Sequence, residues 1–408
     1  MRPLKMIIDG SYYDTYIYSG RLYLWCEDGS IRTIDWDGLI ENLIGKQENL
    51  KLALECGFRQ SNYLYGSQWT LIFRDTEIRT IITDKFKALA ERAIEVNENT
   101  LRIFEIKHQT NPIPFPHSDL TIYRNHLYAG GQYGVFAATC SKDNINPVSS
   151  KPRKIVDIPA LGVSASYNSI SLSAGHEGLY EVYLNHETPW WAHSGDRYSN
   201  YDKQHKISDM HSSSSRWVFY SIFSSSHVAE NYLADFSKSF DVESDSTYDE
   251  RSRYGKREFR GIILGNEIFN NGRTYSWGNQ DKLCQVANRI VRVVRYTPWD
   301  PQERFKGIGE LHLLDFKGDV VSGDSALFGF IIECDNGLVV LDSNLENIWI
   351  PGEPINWRVF PKSKFYENHL HIVYDDRLEI LSFNDDYFVD QKQKQAGITY
   401  WESQRKLR

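Results

Sequence analysis

Methionine and cysteine are scarce in this chain of 408 residues, at three and five. The cysteines (Cys26, Cys56, Cys140, Cys284, Cys334) are scattered, odd in number and without a CxxC pair. That pattern argues against a secreted disulfide framework and a zinc knuckle. It fits reduced thiols packed as small hydrophobes in a cytoplasmic protein. No apolar run reaches the ~18 residues of a transmembrane helix, and Met1 to Ile8 turns polar too soon for a signal peptide. No membrane partner is expected. Basic charge is also short, with 46 Lys and Arg against 54 Asp and Glu and a net charge of −8. Nucleic-acid binding rests on neutralising phosphates, so nucleic acid is not the expected partner.

The signatures of catalysis are missing as well. There is no G-x-S-x-G elbow, no P-loop, no H-E-x-x-H, and no G-x-G-x-x-G in a strand–turn–helix setting. The serines of Ser212 to Ser215 and Ser224 to Ser226 read as loop or strand-end positions. Asp375-Asp376 and Asp385-Asp386 are paired carboxylates of the kind hydrolases use. They fall where hairpin turns are expected, and Asp favours turns for its own local hydrogen bonds. His205, Asp209 and His211, with His193 upstream, are the metal candidates, but their spacing matches no zinc signature. The reading is no catalytic residue, no metal and no cofactor.

Aromatic residues are plentiful: 14% of the chain, with 25 Tyr, 20 Phe and 11 Trp. Such residues suit a pleated, half-buried surface and lean towards sheet. One local pattern recurs, an apolar strand, a polar or Gly turn, and a second alternating strand. Residues 17–36 are the clearest copy, with Leu22 to Trp25, a turn at Asp28-Gly29, then Ile31 to Trp36. Asp-Gly between two such runs signals a hairpin, because Gly accepts the positive φ of the tight turn. Further copies are read at 62–83, where Ile78-Arg79-Thr80-Ile81 repeats Ile31-Arg32-Thr33-Ile34, and at 121–139, 169–184 and 218–236. Others are read at 259–277, 289–316, 328–342 and 370–383.

Most neighbouring copies lie about 40 to 57 residues apart, the range of propeller blades. One gap, between ELHLLDF and LVVLD, is too short for a blade, so those two hairpins are predicted to share one. The expected fold is all-β: one β-propeller over residues 1–408, with seven blades (six to eight fit the spacing) and short helical insertions. Two tandem β-sandwiches are the rival, but they would show no period longer than single strands. Strand 4–8 is expected to complete the last blade, which removes an exposed sheet edge.

Helical insertions are predicted at about 38–56 and 84–96. The first places Leu39, Ile40, Leu43 and Ile44 at helical spacing, with Asp37 as N-cap and Gly57 as stop. The second aligns Phe86, Leu89, Ala90, Ala93 and Ile94. Long loops are expected within 185–215 and 237–258, and a basic tail over 391–408.

The repeats resemble the β-propeller group that includes WD-repeat domains, over essentially the full length. The Gly-His and Trp-Asp signature of that type is absent at regular positions; Asp35-Trp36-Asp37 is reversed and occurs once. Asn271 to Asn279 is similar to one repeat of RCC1-like propellers. The resemblance implies the fold and transfers no functional residue.

A propeller without a recognisable site implies a scaffold for protein–protein interaction. Aromatics and cations interleave in GDRYSNYDKQHK (195–206) and DERSRYGKREFRG (249–261), and Tyr, Trp and Arg dominate interface hot spots. The partner-binding candidates are Trp190, Trp191, Tyr198, Tyr201, Arg251, Arg253, Tyr254 and Trp401. The alternatives are a propeller hydrolase or lyase working at the funnel mouth, and a carbohydrate-binding module.

Overall fold

The computed structural model describes residues 2–61, 75–142, 145–184, 204–226, 231–239, 256–269, 275–279, 281–287, 289–312, 319–326, 328–342 and 347–384. Among these residues the strands form seven sheets, the blades of a seven-bladed β-propeller. The chain opens with β1 (Leu4–Asp9), which the last sheet takes up. Blade 1 joins β2 (Tyr12–Tyr18), β3 (Arg21–Cys26) and β4 (Ser30–Asp35); after β5 (Ile94–Val96), β6 (Glu105–Thr110) completes it. Blade 2 holds β7 (Asp119–Tyr123), β8 (His126–Gly131), β9 (Gly134–Thr139) and β10 (Arg153–Val156). Blade 3 holds β11 (Gly162–Ser166), β12 (Ser169–Ser173), β13 (Leu179–Tyr183) and β14 (Gln204–Ser208). Blade 4 holds β15 (Ser214–Val218), β16 (Ser221–Ser225), β17 (Tyr232–Ser239) and β18 (Lys256–Leu264). Blade 5 holds β19 (Tyr275–Asn279), β20 (Lys282–Ala287), β21 (Ile290–Tyr296) and β22 (Phe305–His312). Blade 6 holds β23 (Val320–Ala326), β24 (Gly329–Cys334), β25 (Gly337–Asp342) and β26 (Asn347–Pro351). Blade 7 holds β27 (Asn356–Val359), β28 (His369–Val373) and β29 (Arg377–Ser382), then β1 and β5.

Seven of the nine hairpins read from sequence sit one to a blade. The other two are corrected. Residues 76–90 form a helix, because Asp75 caps it by accepting from Glu77 N and Ile78 N at 2.9 and 3.1 Å. Ile82, Phe86 and Leu89 are buried at helical spacing while Ile78 and Ile81 are exposed; residues 62–74 lie outside those described. In 259–277 no hairpin forms. β18 closes blade 4 and β19 opens blade 5, with a short helix between them (Gly265–Phe269). The two hairpins predicted to share a blade belong to blades 5 and 6. Their markers lay close because one fell on a fourth strand and the other on a third.

The chain divides into two compact units. The first comprises Met1–Asn111, Ser141–Pro147 and Asp315–Arg408, with blades 1, 6 and 7. Its helical insertion starts earlier than predicted. Helix α1 (Trp36–Lys46) is capped by Asp35, whose carboxylate accepts from Gly38 N at 3.1 Å, and not by Asp37. The chain breaks at Gln47 and resumes as α2 (Lys51–Phe58), so Gly57 lies inside a helix and is not its stop. Helix α3 (Thr76–Ala90) ends before 96, and Ile94–Val96 is β5, paired parallel to β1. Helix α4 (Glu98–Ile103) leads into β6. Leu39, Ile40, Leu43, Leu54, Phe86 and Leu89 join Leu4, Met6 and Ile8 in one apolar cluster. The helices are therefore part of the core of this unit. β1 pairs with β29 in antiparallel register from Leu4↔Ser382 to Asp9↔Arg377.

The second unit comprises Pro112–Cys140 and Val148–Leu314, with blades 2 to 5. Parts of the expected long loops are strands here: 204–208 and 214–215 lie in β14 and β15, and 237–239 and 256–258 in β17 and β18. The turn His176-Glu177-Gly178 is as tight as its sequence suggests. Gly178 has φ +94, and a Cβ there would lie 2.0 Å from the Ser208 carbonyl oxygen. Gly178→Ala is expected to lose about 1–3 kcal/mol, read from the urea unfolding midpoint. Wild-type stability would mean the turn relaxes freely.

Candidate functional site: an arginine–aromatic edge

All eight residues proposed from sequence as partner contacts lie outside the described residues: Trp190, Trp191, Tyr198, Tyr201, Arg251, Arg253, Tyr254 and Trp401, with the tail 391–408. The metal candidates are placed. His205 is exposed on β14 opposite Glu181. Asp209 pairs with Lys206 Nζ at 2.5 Å, and His211 Nδ1 meets Ser226 Oγ at 2.8 Å. Among the described residues, no three His, Cys, Asp or Glu converge on a metal position. Asp375 and Asp376 form the β28–β29 turn, where their carbonyls accept from Ser11 Oγ and Gly10 N.

The structure assembles something else on the second unit. In blades 2, 3 and 4 the first two strands meet at two-residue turns with positive φ. These are Arg124-Asn125 (49° and 61°), Tyr167-Asn168 (50° and 58°) and the turn starting at Phe219 (50°). Such left-handed turns match the right-handed twist of the strands they join. The leading strands run side by side in the same sense. Val163 N donates to Asp119 Oδ2 near their starts, and Asn168 N donates to Tyr123 OH near their ends. At the next step the Tyr167 ring lies 5.8 Å from that of Trp217, whose Nε1 donates to Ser164 O. The three turns therefore lie along one edge.

Arginines stack on this row. Arg124 lies 5.6 Å from the Tyr123 ring centre. Arg257, on β18, lies 4.1 Å from the Phe236 ring, 4.6 Å from Trp217 and 6.0 Å from Tyr167. It also donates from Nε to Tyr220 O at 2.8 Å and ion-pairs with Glu181 of blade 3. Burial is the largest influence on its guanidinium and lowers its pKa, with Glu181 opposing. Blade 5 repeats the device. Arg304 pairs with Asp235 of blade 4 and lies 5.8 Å from the Tyr296 ring. The Tyr296 hydroxyl donates to Asp235 Oδ1 at 2.8 Å.

Trp299 stands out of this edge. It sits on the β21–β22 turn, 65% exposed, with its ring edge-on to Phe219 at 5.0 Å. Asp300 stiffens that turn by accepting from Gln302 N and Glu303 N, each at 3.0 Å. Nothing in the sequence singled Trp299 out. The fragment TPWDPQER reads as loop, and only the fold puts it beside Phe219.

The opposite edge carries a notch lined by Ile113, Pro114, Pro116, Ala129, Tyr133 and Phe136 with glycines. No carboxylate, imidazole or thiol is among these lining residues.

No protein-family model matches this chain, and no curated protein matches it. Solved structures do. The crystal structure of BBS1N in complex with ARL6DN aligns at TM-score 0.49 and 8% identity, over 95% of this chain and 99% of that one. The Cps50 (Swd1) β-propeller domain of Myceliophteria thermophila aligns at 0.47 and 9%, over 92% and 98%. BamB from Moraxella catarrhalis aligns at 0.39 and 8%, over 90% and 80%. At these scores they add nothing to what the strand order already shows.

Proposed function

We propose that the protein is a non-catalytic propeller platform that holds a protein partner on the arginine–aromatic edge of its second unit. The observation that carries this reading is Trp299, a large aromatic side chain left 65% exposed on a turn whose backbone is capped. An exposed indole held in place loses little conformational freedom on binding and removes a large apolar area from water. Phe219 beside it, with Arg257 and Arg304 behind, gives the aromatic and Arg composition in which binding energy concentrates. None of the five cysteines forms a disulfide, which supports a reducing, cytoplasmic setting.

Trp299→Ala tests the reading. Capture of the companion recovered with the tagged protein from its host is expected to weaken about thirtyfold, the equivalent of about 2 kcal/mol. The melting temperature should stay unchanged, because the ring is mostly in water. Undiminished capture would remove this edge from the interface.

A further inference from the structure

Resting on that platform reading, we infer that the bound segment is an acidic peptide with one aromatic or aliphatic anchor, its side chain against Trp299 and Phe219 and its carboxylates on Arg260. A β-bulge carries the argument. β17 and β18 pair in step from Tyr232↔Leu264 to Asp235↔Gly261, then resume at Phe236↔Phe259, so Arg260 is the extra residue. A bulge re-aims the side chain it inserts. Here Arg260 is exposed and electrostatically coupled to Tyr220, which neighbours Phe219.

Three cations of this edge are already matched, and Arg260 is not. Arg257 is neutralised by Glu181, Arg304 by Asp235, and Lys306 by Glu303. Among the described residues no ion pair to Arg260 is formed. Burial raises the pKa of Tyr220; Arg260 and Arg304 act to lower it and Asp235 to raise it. One terminal nitrogen of Arg257, buried in the same cluster, also lacks a hydrogen-bond partner. A guanidinium fork beside an aromatic pair matches a carboxylate one or two residues from an apolar anchor. A basic or neutral segment would leave Arg260 unmatched.

The test is fluorescence polarisation with the full chain and a fluorescein-labelled peptide holding one Phe between Glu triplets. The controls are the same peptide with Gln for every Glu and an oligothymidine of similar length. The Glu peptide is expected to bind and the Gln peptide to bind at least about tenfold more weakly. Arg260→Glu should remove that preference, and added salt should erode it. Equal binding of both peptides, lost in Trp299→Ala, would overturn the acidic assignment while leaving the platform reading intact. Tighter binding of the oligothymidine would overturn it in favour of nucleic acid. Glu-peptide binding unchanged in both Arg260→Glu and Trp299→Ala would overturn the site itself.

Discussion

Acidification from pH 7 to pH 4.5 is expected to remove about 2–3 kcal/mol of stability through His369 alone. His369 and His371, on β28, are both fully buried. His369 Nε2 lies 2.9 Å from Gly57 O, His371 Nε2 3.5 Å from His369 Nδ1, and Thr15 Oγ1 3.4 Å from His371 Nδ1. A carbonyl oxygen only accepts, so His369 Nε2 must carry its proton. A neutral imidazole has one donor and one acceptor, so His371 Nε2 donates in turn and Thr15 donates to His371 Nδ1. The chain of bonds works only with both rings neutral.

Burial, the largest influence, lowers the pKa of His369 to about 4 and that of His371 well below its usual value. His371 is lowered further by His369 and Arg358, and Asp14 opposes. A depressed pKa in the folded state means full stability above pH 6.5, lost progressively as the unfolded chain takes up protons that the fold refuses. Carboxylates titrate in the same window, so the check is comparative, by urea unfolding of wild type and His369→Gln at both pH values. The variant is less stable at pH 7, but its further loss on acidification should be smaller by about 2 kcal/mol. Equal losses would mean His369 is protonated in the fold without cost.

Asp14→Ala is expected to cost about 3–5 kcal/mol. Asp14 is 0% exposed on β2 and receives Arg358 of β27 through Nε and a terminal nitrogen, each at 2.7 Å. Removing the carboxylate leaves a largely buried guanidinium without its counter-charge, which is worse than never having had the pair. Arg358→Met in the same background should recover part of the loss, because both charges are then gone. The urea midpoints of the single and double variants give the comparison. Failure of the second change to help would mean that Asp14 matters through Thr15 N, which it also accepts.

Hairpins with a glycine in the turn were legible in the sequence: Asp28-Gly29, His176-Glu177-Gly178 and Asp335-Asn336-Gly337 each join two strands of one blade. The preceding turns were not, because Arg124-Asn125, Tyr167-Asn168 and Phe219 reach positive φ without glycine and look like ordinary strand. Residues 76–90 misled for a different reason. Ile78-Arg79-Thr80-Ile81 repeats the wording of β4, but Asp75 one turn upstream caps a helix, and the cap with the helical period prevails over the tetrapeptide. The candidate edge was legible only as composition. The stretch 249–261 drew attention by its arginines and aromatics, and Arg257 and Arg260 lie within it. That a bulge aims one outward and a neighbouring blade buries the other depends on pairing register, which no local pattern carries.

The central claim is that a protein partner covers the turns of the second unit's arginine–aromatic edge. Amide hydrogen exchange of the protein alone and within its purified assembly measures this directly. Slowed exchange at 166–168, 218–221 and 297–304 is the predicted result, with the opposite-edge turns at 174–178 and 209–213 unchanged. Protection at 174–178 and 209–213 with no change at 297–304 would contradict it and move the interface to the other edge.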